Sequence, residues 1–404
     1  MELIEKLATV RLSSPRDGRG ALSTVPLARR NFLGHGRRLI RSLAGIAFAA
    51  VLMMVEIGFY ISFIESNLLP IEDLDGEIML ISSTKYEFDR PLPFSRRQLY
   101  QARAVPGVAS VRPLYIKKAI WKNPQNLKLF DVQVFAFDPD QPVFLMPEIN
   151  AYLDALRRPD TVIVDRRARK EVGTASTGTE TELSRQNIRV AGTFQVGPNF
   201  FSNGTVLMSD RNYFKLFGIL SLNPADLPDV DVGVVKLLPG QKVPDVKRAL
   251  TAAMPPNVIT LSKSELIENE RKFLTEVTAV GPVFGVGTLV GFAVGMLISY
   301  QILFSELFDQ LPQYATLTAM GYQNSYLLKI VLQQAALYAL AGYVPAWLVC
   351  FVIFKLMGDI ALIPMTMSLG LTAISLALTL GMCIGAALIA ARRVIAADPA
   401  ELLR

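Results

Sequence analysis

Four long apolar stretches divide the chain into one stretch near the N-terminus and three in the last third. They cover residues 43–64, 280–304, 330–354 and 368–391. Each exceeds the roughly 20 residues that a helix rising about 1.5 Å per residue needs to cross a hydrocarbon core of about 30 Å. Because an isolated strand in lipid has no neighbour to satisfy its backbone, the pattern predicts four transmembrane helices.

The extramembrane segments are then residues 1–42, 65–279, 305–329, 355–367 and 392–404. The first of them holds nine Lys and Arg residues against three acids, and Arg392 and Arg393 follow the last span directly. Since positive residues close to spans remain in the cytoplasm, we expect both termini and segment 305–329 to be cytoplasmic. We expect segments 65–279 and 355–367 to be periplasmic.

The net charge of +6 lies mostly in the basic N-terminal segment. A basic stretch beside a span is typical of contact with anionic membrane lipid. The charge therefore does not indicate a nucleic-acid surface.

The long external segment, 65–279, has the pattern of a mixed α+β domain. A helix over 243–254 between strands over 230–237 and 258–261 predicts a βαβ unit. A helix that ends at Pro106 and Gly107, followed by a strand over 108–116, repeats the helix-then-strand order. Further strands are predicted at residues 132–137, 161–164, 188–196 and 205–208.

Helix signals bracket the second span. Ser262 and Glu265 form a capping box, which predicts a stalk helix running without interruption into that span as a rigid rod. On the cytoplasmic side, Pro312 and Gly321 delimit a short helix over 313–320. The apolar side of this short helix predicts that it docks on a partner. The alternative interpretation is a connector that lies on the membrane surface.

Among Asp, Glu, Lys, Arg and His, the predicted spans contain one residue, Glu56. An acidic residue at this depth faces protein by default, and the hydroxyl residues at matching depth are Thr288, Tyr343, Thr372 and Ser375. Two interpretations remain open: a proton-sensitive or substrate-contacting site, and a protonated, hydrogen-bonded packing residue.

Regularly spaced glycines mark two of the spans. Small residues at this spacing let helices approach closely, either within one protomer or at a dimer seam. The glycines are Gly287, Gly291, Gly295, Gly381 and Gly385. Catalytic chemistry is not indicated, because one histidine, His35, and two cysteines, Cys350 and Cys383, provide neither a His/Cys metal site nor a Ser-His-Asp triad.

Several segments together resemble the FtsX/MacB-type ABC transporter permeases, and within them the DevC group of cyanobacterial exporters. These segments are "RSLAGIAFAAVLMMVEIGF", "PGVASVRPLY", "GVVKLLPGQ", "YATLTAMGY" and "ADPAELLR". The resemblance implies four transmembrane helices with a MacB-like α+β periplasmic domain between the first and second. It also implies that the short cytoplasmic helix is the coupling helix that meets an ATPase. The corresponding residues are Tyr314, Ala315, Thr316, Leu317, Ala319, Met320 and Gly321.

The same resemblance implies the function and the partners. The expected protein is the homodimeric permease subunit of an inner-membrane exporter, working with a separate ABC ATPase, a membrane-fusion adaptor and an outer-membrane channel of the TolC type. Because no G-x-x-x-x-G-K-[ST] loop occurs, ATP and Mg²⁺ are expected on the partner ATPase, with no cofactor on this chain. The expected cargo is a lipid, a glycolipid or another hydrophobic molecule.

Two further hypotheses remain open from the sequence. One is an FtsX-like signalling scaffold, in which the external domain activates a periplasmic partner and nothing is transported. The other is a membrane-bound enzyme or receptor that works through residues 65–279.

Overall fold

A computed structural model describes residues 36–197, 200–218, 228–312, 324–360 and 365–396. Four helices in this part of the chain are long and apolar enough to cross a membrane. They are α1 (Gly36–Glu72), α8 (Val280–Asp309), α9 (Asn324–Ile360) and α10 (Leu369–Ala396). The four predicted spans are present, and each helix continues beyond the residues that the hydropathy pattern assigned to its span.

Within residues 73–197, 200–218 and 228–279, the external domain between α1 and α8 has nine strands. These are β1 (Ile78–Ser82), β2 (Val108–Lys122), β3 (Leu129–Phe137), β4 (Thr161–Asp165), β5 (Glu180–Leu183), β6 (Gln186–Phe194), β7 (Thr205–Ser209), β8 (Val232–Leu237) and β9 (Val258–Ser262). The helices of the domain are α2 (Arg97–Arg103), α3 (Pro147–Asn150), α4 (Leu153–Leu156), α5 (Asp210–Phe217), α6 (Val243–Ala253) and α7 (Lys263–Lys272). Every strand predicted from the sequence is present, with ends that differ by a few residues.

Four strands build a ferredoxin-like layer. Their order is β2-β8-β1-β9, and each neighbouring pair is antiparallel. The units β1-α2-β2 and β8-α6-β9 are therefore two split βαβ modules, each with a strand of the other module between its own two strands. This arrangement confirms the repeated helix-then-strand pattern seen in the sequence.

The remaining strands form a second lobe that shares β2 with the ferredoxin-like layer. The first half of β2 pairs with β8, whereas residues 114–122 pair with β3. Strand pairings then run from β3 through β7, β4, β6 and β5 back to β2 at Trp121 and Leu183. These pairings close a ring, with the indole of Trp121 buried and donating its N–H to the Val172 carbonyl oxygen at 3.1 Å.

The ferredoxin-like layer is covered on both faces. Side chains alternate across a strand, so Ile78 and Leu80 of β1 face the core that holds α2 and α6. Met79 and Ile81 face the opposite core, which contains residues of α1 and α7. The end of the first span is thus part of the folded core of the external domain.

Candidate functional site: the joints between the spans and the external domain

The first joint is the outer end of α1. Phe63, Leu68 and Ile71 are buried in the core of the external domain, and α1 continues to Glu72 without a break. The Phe63 ring packs edge-on against Phe200 and Phe201, with ring centroids 5.1 and 5.7 Å apart. Because these contacts are buried and apolar, the domain is fixed to α1.

The second joint lies between the stalk helix α7 and span α8, and it corrects one prediction. The capping box at Ser262 and Glu265 is present, but the stalk does not run uninterrupted into the membrane. A π-helical turn at Phe273–Val277 is followed by Thr278 in an extended conformation, and α8 starts at Val280. Sequence periodicity does not distinguish a π turn from an α turn, which is why the break was missed.

Glycine is required just beyond this break. A Cβ atom added to Gly281 would lie 2.4 Å from the Thr275 carbonyl oxygen, which is a backbone atom that cannot rotate away. The joint is therefore compact at this point. The domain is carried by a continuous helix on one side and by a broken one on the other.

The glycines of α8 line its contacts with neighbouring helices of the same chain. Added Cβ atoms would lie 2.8 Å from the Glu56 carboxyl carbon at Gly287, 3.2 Å from Met53 at Gly291, and 2.8 Å from the Ala49 Cβ at Gly295. On α10, Gly385 lies near Met296 and Gly381 near Phe292, both on α8. The small residues thus let α8 approach α1 and α10 closely.

Glu56 lies against α8, and three of the four hydroxyl groups expected near it, those of Tyr343, Thr372 and Ser375, bond within α9 and α10. Its half-buried carboxyl group lies against Gly287. The Tyr343 hydroxyl donates to the Thr372 carbonyl oxygen at 2.8 Å and lies 2.9 Å from the Ser375 hydroxyl oxygen. That hydroxyl network joins α9 to α10.

A carboxylate that the sequence reasoning missed lies at the other end of α8. The Glu306 side chain accepts a hydrogen bond from the Gln334 amide at 2.9 Å and another from the Tyr338 hydroxyl. Both donors are on α9 and both are buried. Near the same end, the Arg393 guanidinium of α10 donates to the Tyr300 hydroxyl at 3.2 Å. The sequence signals were a glutamate directly after a span and a glutamine inside the next one.

The external domain encloses a cluster of charges where α7 meets the sheet. The Glu270 carboxylate of α7 accepts the Phe88 backbone N–H at 2.9 Å. Burial, together with the nearby Asp89 and Glu87 carboxylates, raises the pKa of Glu270 to about 8. Burial likewise raises the pKa of Asp231 to about 6, although its carboxylate accepts the Ile116 N–H at 2.8 Å.

A lysine completes this cluster. Lys85 is buried, and burial lowers its pKa in spite of the neighbouring carboxylates. Its amino group donates to the Arg90 carbonyl oxygen. The stalk helix therefore meets the sheet at buried ionisable groups whose pKa values are shifted by burial.

The segment predicted to form the coupling helix, residues 314–321, lies outside the described residues. Its assignment stays a prediction. Within the described ranges, no group of three or more His, Cys, Asp or Glu side chains is placed to hold a metal ion.

Four apolar helices with an α+β domain inserted after the first describe an integral membrane protein with one large domain outside the bilayer. Residues 283–399 match the family model described as FtsX-like permease C-terminal, and they span most of α8 and all of α9 and α10. This match identifies the last third of the chain as an FtsX-like permease domain, as the resemblance in the sequence predicts. Together with the four apolar helices, it indicates an integral membrane protein, and the periplasmic location of the α+β domain stays a prediction.

Solved structures with similarity to this chain are distant in sequence. The periplasmic region of MacB from Actinobacillus actinomycetemcomitans is 10% identical over 48% of this chain and 92% of that chain, with a TM-score of 0.34. The extracellular domain of the noncanonic ABC-type transporter YknZ from Gram-positive bacteria is 12% identical over 46% and 98%, with a TM-score of 0.32. Comparison with curated proteins gave no match.

Proposed function

We propose that this chain is the membrane subunit of an ABC-type exporter and that it passes movement between a cytoplasmic ATPase and its own periplasmic domain. The observation that carries this proposal is the continuity of α1. One helix of 37 residues, about 55 Å long at 1.5 Å per residue, runs through the bundle into the buried core of the external domain. A displacement of its inner end therefore displaces the domain.

The composition of the helix bundle favours the transmission of movement through the membrane over the passage of a polar solute between the helices. Glu56 is the one acidic or basic residue of the four predicted spans, and it lies against Gly287 of α8. Intramembrane charges usually mark ion and substrate pathways. Their scarcity favours a mechanism in which ATP hydrolysis reshapes the periplasmic side, where the cargo is handled.

The partners follow from this role. ATP and Mg²⁺ bind a separate ATPase subunit that docks on residues 314–321 of a homodimeric permease. A membrane-fusion adaptor and a TolC-type outer-membrane channel complete the export path, and the cargo is a lipid, a glycolipid or another hydrophobic molecule, as in the DevC group. The alternative is an FtsX-like signalling scaffold, which has the same ATPase contact but a periplasmic partner protein in place of an exported cargo.

Leu317→Asp tests the ATPase contact. We expect this variant to lose the ATPase on co-purification in mild detergent, because a charge replaces an apolar docking residue. Central apolar residues of an interface contribute about 2 kcal/mol or more, which corresponds to roughly thirtyfold in affinity. Leu317→Met, which keeps an apolar side chain of similar size, should retain the partner. Full ATPase binding and turnover in Leu317→Asp would exclude the proposed docking surface.

A further inference from the structure

The inner ends of α8 and α9 are joined by a three-residue polar contact, here called the clasp: Glu306, Gln334 and Tyr338. Gln334 and Tyr338 are four residues apart, so they lie on one face of α9, one turn from each other. Gln334 donates to one carboxylate oxygen of Glu306 and Tyr338 donates to the other. Both carboxylate oxygens are therefore engaged by the same helix face.

The position of the clasp is at the cytoplasmic end of the bundle. Phe284 of α8 stacks on Phe59 of α1 near the outer end of the spans, with ring centroids 6.5 Å apart. Glu306 follows Phe284 by 22 residues, or about 33 Å along a helix, which is close to the thickness of the hydrocarbon core. The clasp thus lies where α8 leaves the membrane and α9 enters it.

The clasp is a direct contact between two helices, α8 and α9, that pack mainly against α1 and α10. The closest backbone packing of each is with α1 and α10. The clasp bridges α8 and α9 directly. It therefore sets the distance between these two helices, which their packing against α1 and α10 does not set alone. Gln334 and Tyr338 are 2% and 1% exposed, so the bridge is protected from competing water.

Aliphatic side chains would fill the same space without the cost of placing a carboxylate at the membrane boundary. A carboxylate held by two donors gives what aliphatic packing does not, namely one preferred distance and orientation between the helices. Leu303 and Leu307 of α8 already provide apolar packing beside it. The polar contact therefore determines the geometry of a bundle that apolar residues hold together.

We propose that Glu306 is a positioning residue: through the clasp, the inner ends of α8 and α9 move as one unit when an ATPase displaces the cytoplasmic segment between them. This inference rests on the proposed function. Displacement of either helix end is passed to the other through the clasp. Without the clasp, the inner ends of α8 and α9 are displaced independently, and less of the movement reaches the outer end of α8.

The test uses the complex of the tagged chain with its ATPase in lipid nanodiscs. Tyr338→Phe and Gln334→Leu each remove one donor. Gln333→Leu is the matched control, because Gln333 is the exposed neighbour of Gln334 on the same helix. A spin label at position 277, where Val277 is 72% exposed beside α8, reports movement on the periplasmic side in a Cys350→Ala, Cys383→Ala background.

We expect ATP with vanadate to change the mobility of this label in the wild type and in Gln333→Leu. In Tyr338→Phe and Gln334→Leu, the change should be at least about fivefold smaller, the lower end of common allosteric couplings, while the ATPase stays bound. The double variant Glu306→Gln, Gln334→Glu exchanges the carboxylate and the amide, and it should restore the signal. Wild-type responses in both single variants would overturn the proposal.

A second measurement separates this inference from the proposed function. Spin labels at the exposed Phe308 and Lys329 report the distance between α8 and α9 without any ATPase. We expect a narrow distribution in the wild type and a broad one in Gln334→Leu. If no ATPase co-purifies with the wild-type chain, the proposed function is wrong. The clasp is then tested only by the distance distribution between the labels at positions 308 and 329. An unchanged distribution in Gln334→Leu would then exclude it.

Discussion

Replacing Gly295 with leucine is expected to push α8 away from its two neighbours and to destabilise the helix bundle. A Cβ atom at this position would lie 2.5 Å from the Met382 sulfur on α10 and 2.8 Å from the Ala49 Cβ on α1. The end of a methionine side chain can move, but the Cβ of Ala49 is fixed to its helix. Overpacking of this kind costs about 1–3 kcal/mol, and the longer leucine side chain adds to the steric conflict.

The measurement is loss of helicity during titration of the full chain from mild detergent into a denaturing one. Gly285→Leu is the matched control, because it makes the same substitution on the same helix where no atom lies within 4 Å of an added Cβ. We expect the control to unfold at the wild-type midpoint and Gly295→Leu at a much lower one. Equal midpoints for the two variants would mean that this glycine is not a packing position.

The external domain is expected to lose stability as the pH rises from about 4.5 to about 8, and Glu270→Gln should remove most of this loss. Burial raises the pKa of Glu270 from 4.5 to about 8, so the folded state binds a proton that the unfolded state releases. The resulting stability is fully present below the unfolded pKa and is lost as the pH passes the folded one. One pKa unit corresponds to about 1.4 kcal/mol, so the change amounts to a few kcal/mol.

The measurement is urea unfolding at several pH values, followed by the fluorescence of Trp121, which is buried in the domain. A Trp347→Phe background removes the other tryptophan. Asp231 provides an internal control, because its pKa is raised only to about 6. The loss of stability that Asp231 causes between about pH 4 and 6 should therefore persist in Glu270→Gln. A variant that keeps the wild-type slope between pH 6 and 8 would show that Glu270 is not the responsible group.

The spans and most strands of this protein were predictable because each has a regular hydrophobic pattern. A run of more than 20 apolar residues and an alternating strand both leave a signal in the local sequence. The two βαβ units were predictable for the same reason, since helix 243–254 and the strand from residue 108 follow clear Pro-Gly signals. The inserted position of β8 between β1 and β2 was not predictable, because strand order depends on contacts between distant residues.

The joints were harder to predict, because they depend on geometry that local periodicity does not record. Hydropathy did not indicate that α1 continues for eight residues into the domain core, because the hydrophobic stretch ends near residue 64. The clasp was missed because Glu306 follows a span and its donors lie about 30 residues later. Glu56 was noticed as an isolated charge, but its neighbour proved to be a glycine backbone.

Thiol labelling in intact cells tests most directly whether the folded domain and the ATPase-coupling segment lie on opposite sides of the membrane. Single cysteines would replace Leu129, which is 63% exposed at the start of β3, and Leu317, in a Cys350→Ala, Cys383→Ala background. A maleimide that cannot cross the inner membrane should label position 129 at once and position 317 only after the membrane is opened. Labelling of both positions in intact cells would contradict the account.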